Sequence, residues 1–214
     1  MKIYEKILKI LYDKTVNDAE LADKLLWNPK DWNEYLKTNQ EDIFAMIETI
    51  KRQYLYLPFE YECFLKKYYI PIFGVIDMYV PFSTEYESST VMLNYKQTNK
   101  EFPTLLPIGN IENGEYLYLN EKGEVIKLLN LAKETIPDNS LMNVSDDEYE
   151  SGFDIAYLNY PDDDGLYRMY EVLGRTFDEF MNNFVCGKRY SDFIEQIDNY
   201  YVAIMKIRKE LGID

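Results

Sequence analysis

Apolar residues recur every three or four positions near both ends of the chain, and this spacing predicts amphipathic helices there. The N-terminal stripe consists of Ile3, Ile7, Leu8, Ile10 and Leu11. The pair Asn17 and Glu20 resembles a capping box, which predicts that a second helix begins at this point. A longer helix is predicted over residues 40–53, and Pro58 suits the first turn of another. The first third of the chain is therefore predicted to be helical.

The C-terminal part carries the same helical signals. Thr176 followed by Glu179 predicts a capped helix with Phe177, Phe180, Met181 and Phe184 on one side. A last helix is predicted from about Asp192 to Leu211, where Gly212 stops it.

Between these helices the period changes to that of β-strands. Residues 70–82, 89–96 and 153–160 are rich in β-prone residues, and two such runs at 115–119 and 124–129 flank the turn Asn120-Glu121-Lys122-Gly123. The stretch 106–114 has the glycine and asparagine content of a tight loop. The predicted class is α+β, with a central antiparallel, meander-like sheet covered by helices.

A single domain of 214 residues accommodates these elements. We divide it into an N-terminal helical extension over residues 1–39, a core over 40–185 and a C-terminal helix over 186–214. Hydrophobic residues make up 47% of the chain, which is enough for a packed core.

The chain contains no histidine, and this absence narrows the chemistry that it could perform. Ser-His-Asp and Cys-His nucleophile systems are excluded. The two cysteines, Cys63 and Cys186, match no metal spacing and no disulfide framework, so we expect buried thiols. The sequence predicts a binding protein rather than an enzyme, with no cofactor and no metal.

Charge and hydropathy indicate the compartment and the kind of partner. The start of the chain lacks the continuous apolar stretch of a secretory signal, and no run reaches the length of a membrane span. We therefore expect a cytoplasmic protein that does not enter a membrane. A formal net charge of −15 argues against nucleic acid as the partner.

The negative charge is concentrated in one segment. From Glu134 to Glu171 there are eleven acidic residues and one basic residue, Arg168, a net charge of −10. Such a segment is either a solvated loop that keeps the protein soluble or a surface that attracts a basic protein. The candidate partner-binding residues are Asp146, Asp147, Glu148, Glu150, Asp154, Asp162, Asp163 and Asp164.

Two short motifs admit a ligand but favour a structural role. Asp162, Asp163 and Asp164 precede a glycine, yet they lack the alternate acids and distal glutamate of a calcium loop, so a solvated turn is favoured. Residues 107–114 lack the Lys-Ser/Thr pair of a phosphate-binding loop and precede a strand, so a structural turn is favoured there too.

Three ordered pieces of the chain resemble the SUKH superfamily, the Smi/Knr-type proteins. Residues 57–65 (LPFEYECFL) resemble the family's Leu-Pro helix with its Tyr and Phe-Leu positions. Residues 106–125 resemble its hairpin, from Pro-Ile-Gly through a strand to Gly-x-Val. Residues 176–181 (TFDEFM) resemble its closing helix. The resemblance covers about residues 40–185.

The resemblance implies a function. Many bacterial members of this superfamily are immunity proteins, which bind a toxin of the same strain and block it, and such toxins are often nucleases. A nuclease has a basic substrate cleft that an acidic partner can occupy. The alternative is a regulatory or scaffold protein with a cellular protein partner, as the fungal members imply.

Overall fold

In the computed structural model, the described residues are 1–25, 37–38, 40–53, 57–67, 72–73, 76–78, 104–111, 115–129, 154–161, 167–189 and 199–213. The helices are α1 (Ile3–Thr15), α2 (Ala19–Lys24), α3 (Gln40–Gln53), α4 (Phe59–Lys67), α5 (Phe177–Glu179), a π-helix (Phe180–Val185) and α6 (Asn199–Glu210). The strands are β1 (Ile72–Phe73), β2 (Ile76–Met78), β3 (Leu106–Ile111), β4 (Glu115–Leu119), β5 (Val125–Leu128), β6 (Asp154–Pro161) and β7 (Tyr167–Gly174).

The strands form one antiparallel sheet in the order β1-β2-β3-β4-β5-β7-β6. The first five strands meander, each pairing with the next along the chain. The chain then reaches the far edge as β6 and returns as β7, which lies between β6 and β5. The predicted α+β class, with an antiparallel meander-like sheet and helices before and after it, is confirmed.

The β4–β5 hairpin is present as predicted. Gly123 has φ +80°, the left-handed conformation that glycine adopts at low cost, and its N–H donates to the carbonyl of Asn120 at 2.9 Å. The Asn120 carboxamide oxygen accepts the N–H groups of Lys122 and Glu124, each at 3.0 Å. The turn is therefore closed by its own asparagine.

The loop predicted over residues 106–114 is wrong for its first six residues, because Leu106–Ile111 form strand β3. β3 pairs with β2 on one side and β4 on the other. Its register shifts between Pro107 and Gly109. Proline has no main-chain N–H to donate, and an irregularity of this kind lets a strand accommodate it. Pairing on both sides thus overrides the local turn composition. This strand also removes the phosphate-loop alternative.

The helices whose bounds are given above contribute to a common core together with residues from one face of the sheet. Phe177 occupies its centre, with its ring 5.0 Å from that of Tyr61 and 5.0 Å from that of Phe64, both edge-on. The other residues buried in this core include Ile7, Leu8, Leu11, Ile47, Leu117, Leu119, Val125, Leu173, Phe180, Phe184, Ile204 and Ile207. The apolar stripes predicted near both ends of the chain therefore supply the core, although Ile3 is exposed and Tyr4 is buried in its place.

The opposite face of the sheet has a second, smaller apolar cluster. It consists of Leu105, Tyr118, Ile126, Leu128, Tyr170 and Val172. All six side chains are buried. The sheet therefore has a buried apolar cluster on each side.

The helical segment after β7 begins as predicted, with Thr176 as the cap. The Thr176 hydroxyl accepts the N–H of Glu179 at 3.1 Å, and the Glu179 carboxylate accepts the N–H of Arg175 at 2.9 Å. Gly174 ends β7 where a Cβ would lie 2.5 Å from the main-chain nitrogen of Phe180. Only glycine lets the helical segment approach the strand this closely.

The ends of two other helices refine the predictions. α2 is capped by Asp18 rather than Asn17, because the Asp18 carboxylate accepts the N–H of Leu21 at 3.0 Å. α6 ends at Glu210, and Gly212 stops it as predicted, with φ +66°. The N–H of Gly212 donates to the carbonyl of Lys209, and the N–H of Ile213 donates to the carbonyl of Arg208. This pattern is a Schellman motif. The predicted start of this helix near Asp192 and the predicted strand over 89–96 lie outside the described residues.

Candidate functional site

The predicted acidic residues flank the edge strand β6. Asp154 is the first residue of β6, and the last, Pro161, is paired with Tyr167 at the start of β7. The five residues between these partners, 162–166, connect the two strands. They include Asp162, Asp163 and Asp164, whose own placement lies outside the described residues.

The remaining candidates precede β6 in the chain. Asp146, Asp147, Glu148 and Glu150 fall within 130–153, which connects β5 to β6 and lies outside the described residues. β6 has eight residues, so its first and last Cα atoms are about 23 Å apart. In the chain, acidic residues therefore precede one end of β6 and follow the other.

The hydrogen-bonding direction of β7 follows from its pairing with β5. The N–H of Leu129 donates to the carbonyl of Met169 at 3.0 Å, so the main-chain groups of Met169 are directed toward the β5 side. Successive residues of a strand direct their main-chain groups to opposite sides. The groups of Tyr170 are therefore directed toward β6.

This direction fixes which main-chain groups of β6 are used within the sheet. Ala156 lies opposite Tyr170, so its N–H and C=O are directed inward, toward β7. By the same alternation, the N–H and C=O groups of Ile155 and Tyr157 are directed outward, away from the sheet. No other described strand pairs with this outer side of β6.

A buried ion pair, which the sequence did not reveal, lies one strand away from this edge. Lys127 on β5 is opposite Glu171 on β7, with the ammonium nitrogen 3.5 Å from a carboxylate oxygen. The residues are 8% and 6% exposed. The alternation of buried side chains puts both on the helix-covered face, since Lys127 lies opposite Leu117 of the main core. A lysine within an apolar β-run was the only sequence signal of this pair.

The opposite face of β7 carries a tyrosine whose ionisation is suppressed. Burial, and in second place the negative charge of Glu124, raises the pKa of Tyr170 above its ordinary value near 10. Tyr170 is therefore a neutral phenol at neutral pH. It belongs to the apolar cluster on the second face of the sheet.

The described residues offer little for metal or thiol chemistry. Among them, no group of three or more acidic or cysteine side chains is arranged to hold a metal ion. Cys186 is buried as expected, whereas Cys63 is partly exposed, and both are free thiols. Among the described helices, none is long and apolar enough to cross a membrane.

The negative charge is concentrated in the stretch that contains β6. Residues 134–171 carry a net charge of −10 out of the total of −15. Residues 134–153 hold six of the acidic residues, residues 162–164 hold three, and β6 between them holds Asp154.

Comparisons with models of known protein families, with curated proteins and with solved structures find no match to this chain. The resemblance to the SUKH superfamily therefore stays a prediction. Support for a function comes from the sheet edge, the charge distribution and the chemistry of the described residues.

Proposed function

We propose that this chain is an immunity-type binding protein of the SUKH superfamily, which neutralises a basic toxin in the cytoplasm through its acidic segment. The observation that carries the proposal is the concentration of negative charge in one segment. Residues 134–171 carry a net charge of −10, whereas the other 176 residues together carry −5. This concentration supports binding of a basic partner.

The concentration of charge in one segment affects how the protein associates with a partner. Opposite charges on two proteins attract over distances comparable with the screening length, about 8 Å at physiological ionic strength. Such attraction raises the association rate and orients the encounter. Because residues 134–171 carry two-thirds of the net charge, a basic partner is attracted more strongly to this acidic segment than to the rest of the chain.

The proposal is tested by searching the genes beside this one for a toxin with a basic domain and measuring the association rate of that domain, called the toxin domain below, at several salt concentrations. The variant Asp162→Asn/Asp163→Asn/Asp164→Asn should associate more slowly than the wild type. Its rate should also depend less on salt between about 0.1 M and about 1 M, where the screening length falls from about 10 Å to about 3 Å. Asparagine tolerates turn conformations, so we expect the variant to fold normally.

The matched control changes the net charge equally in the described part of the chain. Asp13, Asp23 and Glu41 are exposed on α1, α2 and α3. The variant Asp13→Asn/Asp23→Asn/Glu41→Gln should keep most of the wild-type association rate. Equal slowing by the two triple variants would show that net charge alone matters. Unchanged kinetics in the Asp162–164 variant would refute the proposed role of these acids.

A further inference from the structure

The two edges of the sheet differ in how they are protected against pairing with another strand. β1, at one edge, has two residues and follows Pro71, so it offers almost no main chain to a partner. β6, at the other edge, has eight residues. Proteins usually protect a long edge strand with charged side chains, prolines or bulges.

Within β6 itself, the features that oppose pairing with another strand lie at its ends. Asp154 begins the strand and Pro161 ends it, and the register with β7 shifts between Tyr157 and Pro161. The six residues between these ends, 155–160 (IAYLNY), include no charged residue and no proline. A long, uncharged edge strand is the structure to which an additional strand can bind.

We propose that the outer edge of β6 binds an extended segment of the partner protein as an eighth strand of the sheet, with basic residues of that segment beyond its paired part. This inference rests on the proposed function and names its binding mode. The main-chain groups of Ile155 and Tyr157, which are directed outward, form the hydrogen bonds. The occupant is a basic β-strand.

Charge complementarity identifies the partner's chemistry. Asp154 begins β6, and Asp162, Asp163 and Asp164 directly follow its last residue in the chain. There is no basic residue between Lys133 and Arg168. Negative charge therefore adjoins both ends of β6 in the sequence, and we expect a strand bound along β6 to meet it there. Lysine or arginine at those positions is attracted, whereas acidic residues are repelled.

The first experiment uses a synthetic peptide of alternating threonine and valine with two lysines at each end, and a second peptide with glutamates in place of the lysines. The variants Ile155→Pro and Tyr157→Pro each remove one outward N–H group, and edge strands accept proline at such positions. Each should raise the Kd of the lysine peptide about three- to tenfold. The matched controls Ile155→Ala and Tyr157→Ala should change it less than about twofold. The glutamate peptide should not bind.

The second experiment measures amide hydrogen exchange in the wild-type chain, so it does not depend on how the proline variants fold. The lysine peptide should slow the exchange of the Ile155 and Tyr157 amides. The Ala156 amide, already directed toward β7, should change little. Slow exchange at Ile155 and Tyr157 without the peptide would overturn the proposal, since the edge would already be occupied by this chain or by a second copy.

The two proposals can fail separately when both sets of variants are tested with the toxin domain. Unchanged toxin and peptide binding in the proline variants would overturn the edge proposal. If the Asp162–164 variant still associates more slowly in that case, the proposed function stands. Loss of toxin binding in the proline variants, with normal association of the Asp162–164 variant, would support edge binding and reject steering by these acids.

Discussion

The acidic segment, residues 134–171, differs from the rest of the chain in charge. It carries a net charge of −10 in 38 residues, whereas the other 176 residues carry −5. We expect folding to depend mainly on the rest of the chain, which supplies most of the core, and the attraction of a partner to depend on the acidic segment. Changes in one should leave the property of the other largely intact.

Outside the acidic segment, several charged side chains form local pairs. Glu62 on α4 is bound by Lys66 from its own helix and by Lys51 from α3, the latter at 3.0 Å. Lys67 lies 3.5 Å from Glu5 on α1, which joins two helices at the surface. Opposite charges held this close partly cancel at a distance, so these residues contribute little to the attraction of a partner.

The largest effect on stability is expected from the aromatic centre of the core. Phe177 is fully buried between the rings of Tyr61 and Phe64. Phe177→Ala removes these contacts and leaves a cavity, so we expect the free energy of unfolding to fall by about 4 kcal/mol. Urea denaturation followed by circular dichroism measures the change.

The control for this variant is Phe59→Ala, because the Phe59 side chain is 73% exposed. It should alter stability by less than about 0.5 kcal/mol. At a temperature where Phe177→Ala is still folded, its association rate with the toxin domain should equal that of the wild type. A slower rate would show that the core also affects the attraction of the partner, contrary to the expected separation of roles.

The next effect in size concerns the buried pair Lys127–Glu171. Lys127→Met keeps the length of the side chain and removes the ammonium group beside a buried carboxylate, so we expect a loss of about 3 kcal/mol. The double variant Lys127→Met/Glu171→Leu removes both charges and should recover at least half of that loss. Thermal and urea unfolding of the three proteins test this. If the double variant were as unstable as Lys127→Met, the loss would not come from the unpaired carboxylate of Glu171. The two side chains would then stabilise the sheet through other contacts.

Local signals in the sequence predicted local structure well. The turn at residues 120–123 and the helix cap at Thr176 depend on side chains within four residues of one another, and both are present. Helix α3 has the bounds that its apolar spacing predicts. These features need no information about the rest of the fold.

Features that depend on distant partners were missed. β3 was predicted as a loop because its glycine and proline content is visible in the sequence, whereas its pairing with β2 and β4 is not. The ion pair Lys127–Glu171 depends on β7 being inserted beside β5. The π-helix Phe180–Val185 has no signature in apolar spacing that separates it from an α-helix.

The candidate site was predicted from charge and positioned by topology. Counting acids identified the stretch around β6, but β6 became an edge strand only through the non-sequential order β5-β7-β6. Of the eight acids predicted from the sequence, Asp154 is the one within the described residues. The negative charge of the candidate site was therefore predictable from the sequence, and the sheet edge was not.

The smallest expected effect concerns stability at acidic pH and involves Glu62, which lies outside the acidic segment. The hydrogen bond from Lys66, followed by that from Lys51, holds the pKa of Glu62 below its ordinary value of 4.5. A carboxyl whose pKa is lowered by folding stabilises the protein above its unfolded pKa, and this stability is lost as the pH falls through the folded value. Glu62→Gln should therefore reduce stability at pH 7 and flatten its decline below pH 4.5.

The loss at pH 7 should not exceed about 1 kcal/mol, because solvent screens both partly exposed ammonium groups. Urea unfolding at a series of pH values measures this loss. Glu41→Gln, which changes an exposed side chain of α3, is the control and should follow the wild type. The Asp162→Asn/Asp163→Asn/Asp164→Asn variant should also follow the wild type, since these acids are assigned to attraction rather than folding. If it changes the acid transition more than Glu62→Gln does, the acids beside β6 contribute to the fold, and the division of roles between the two stretches is wrong.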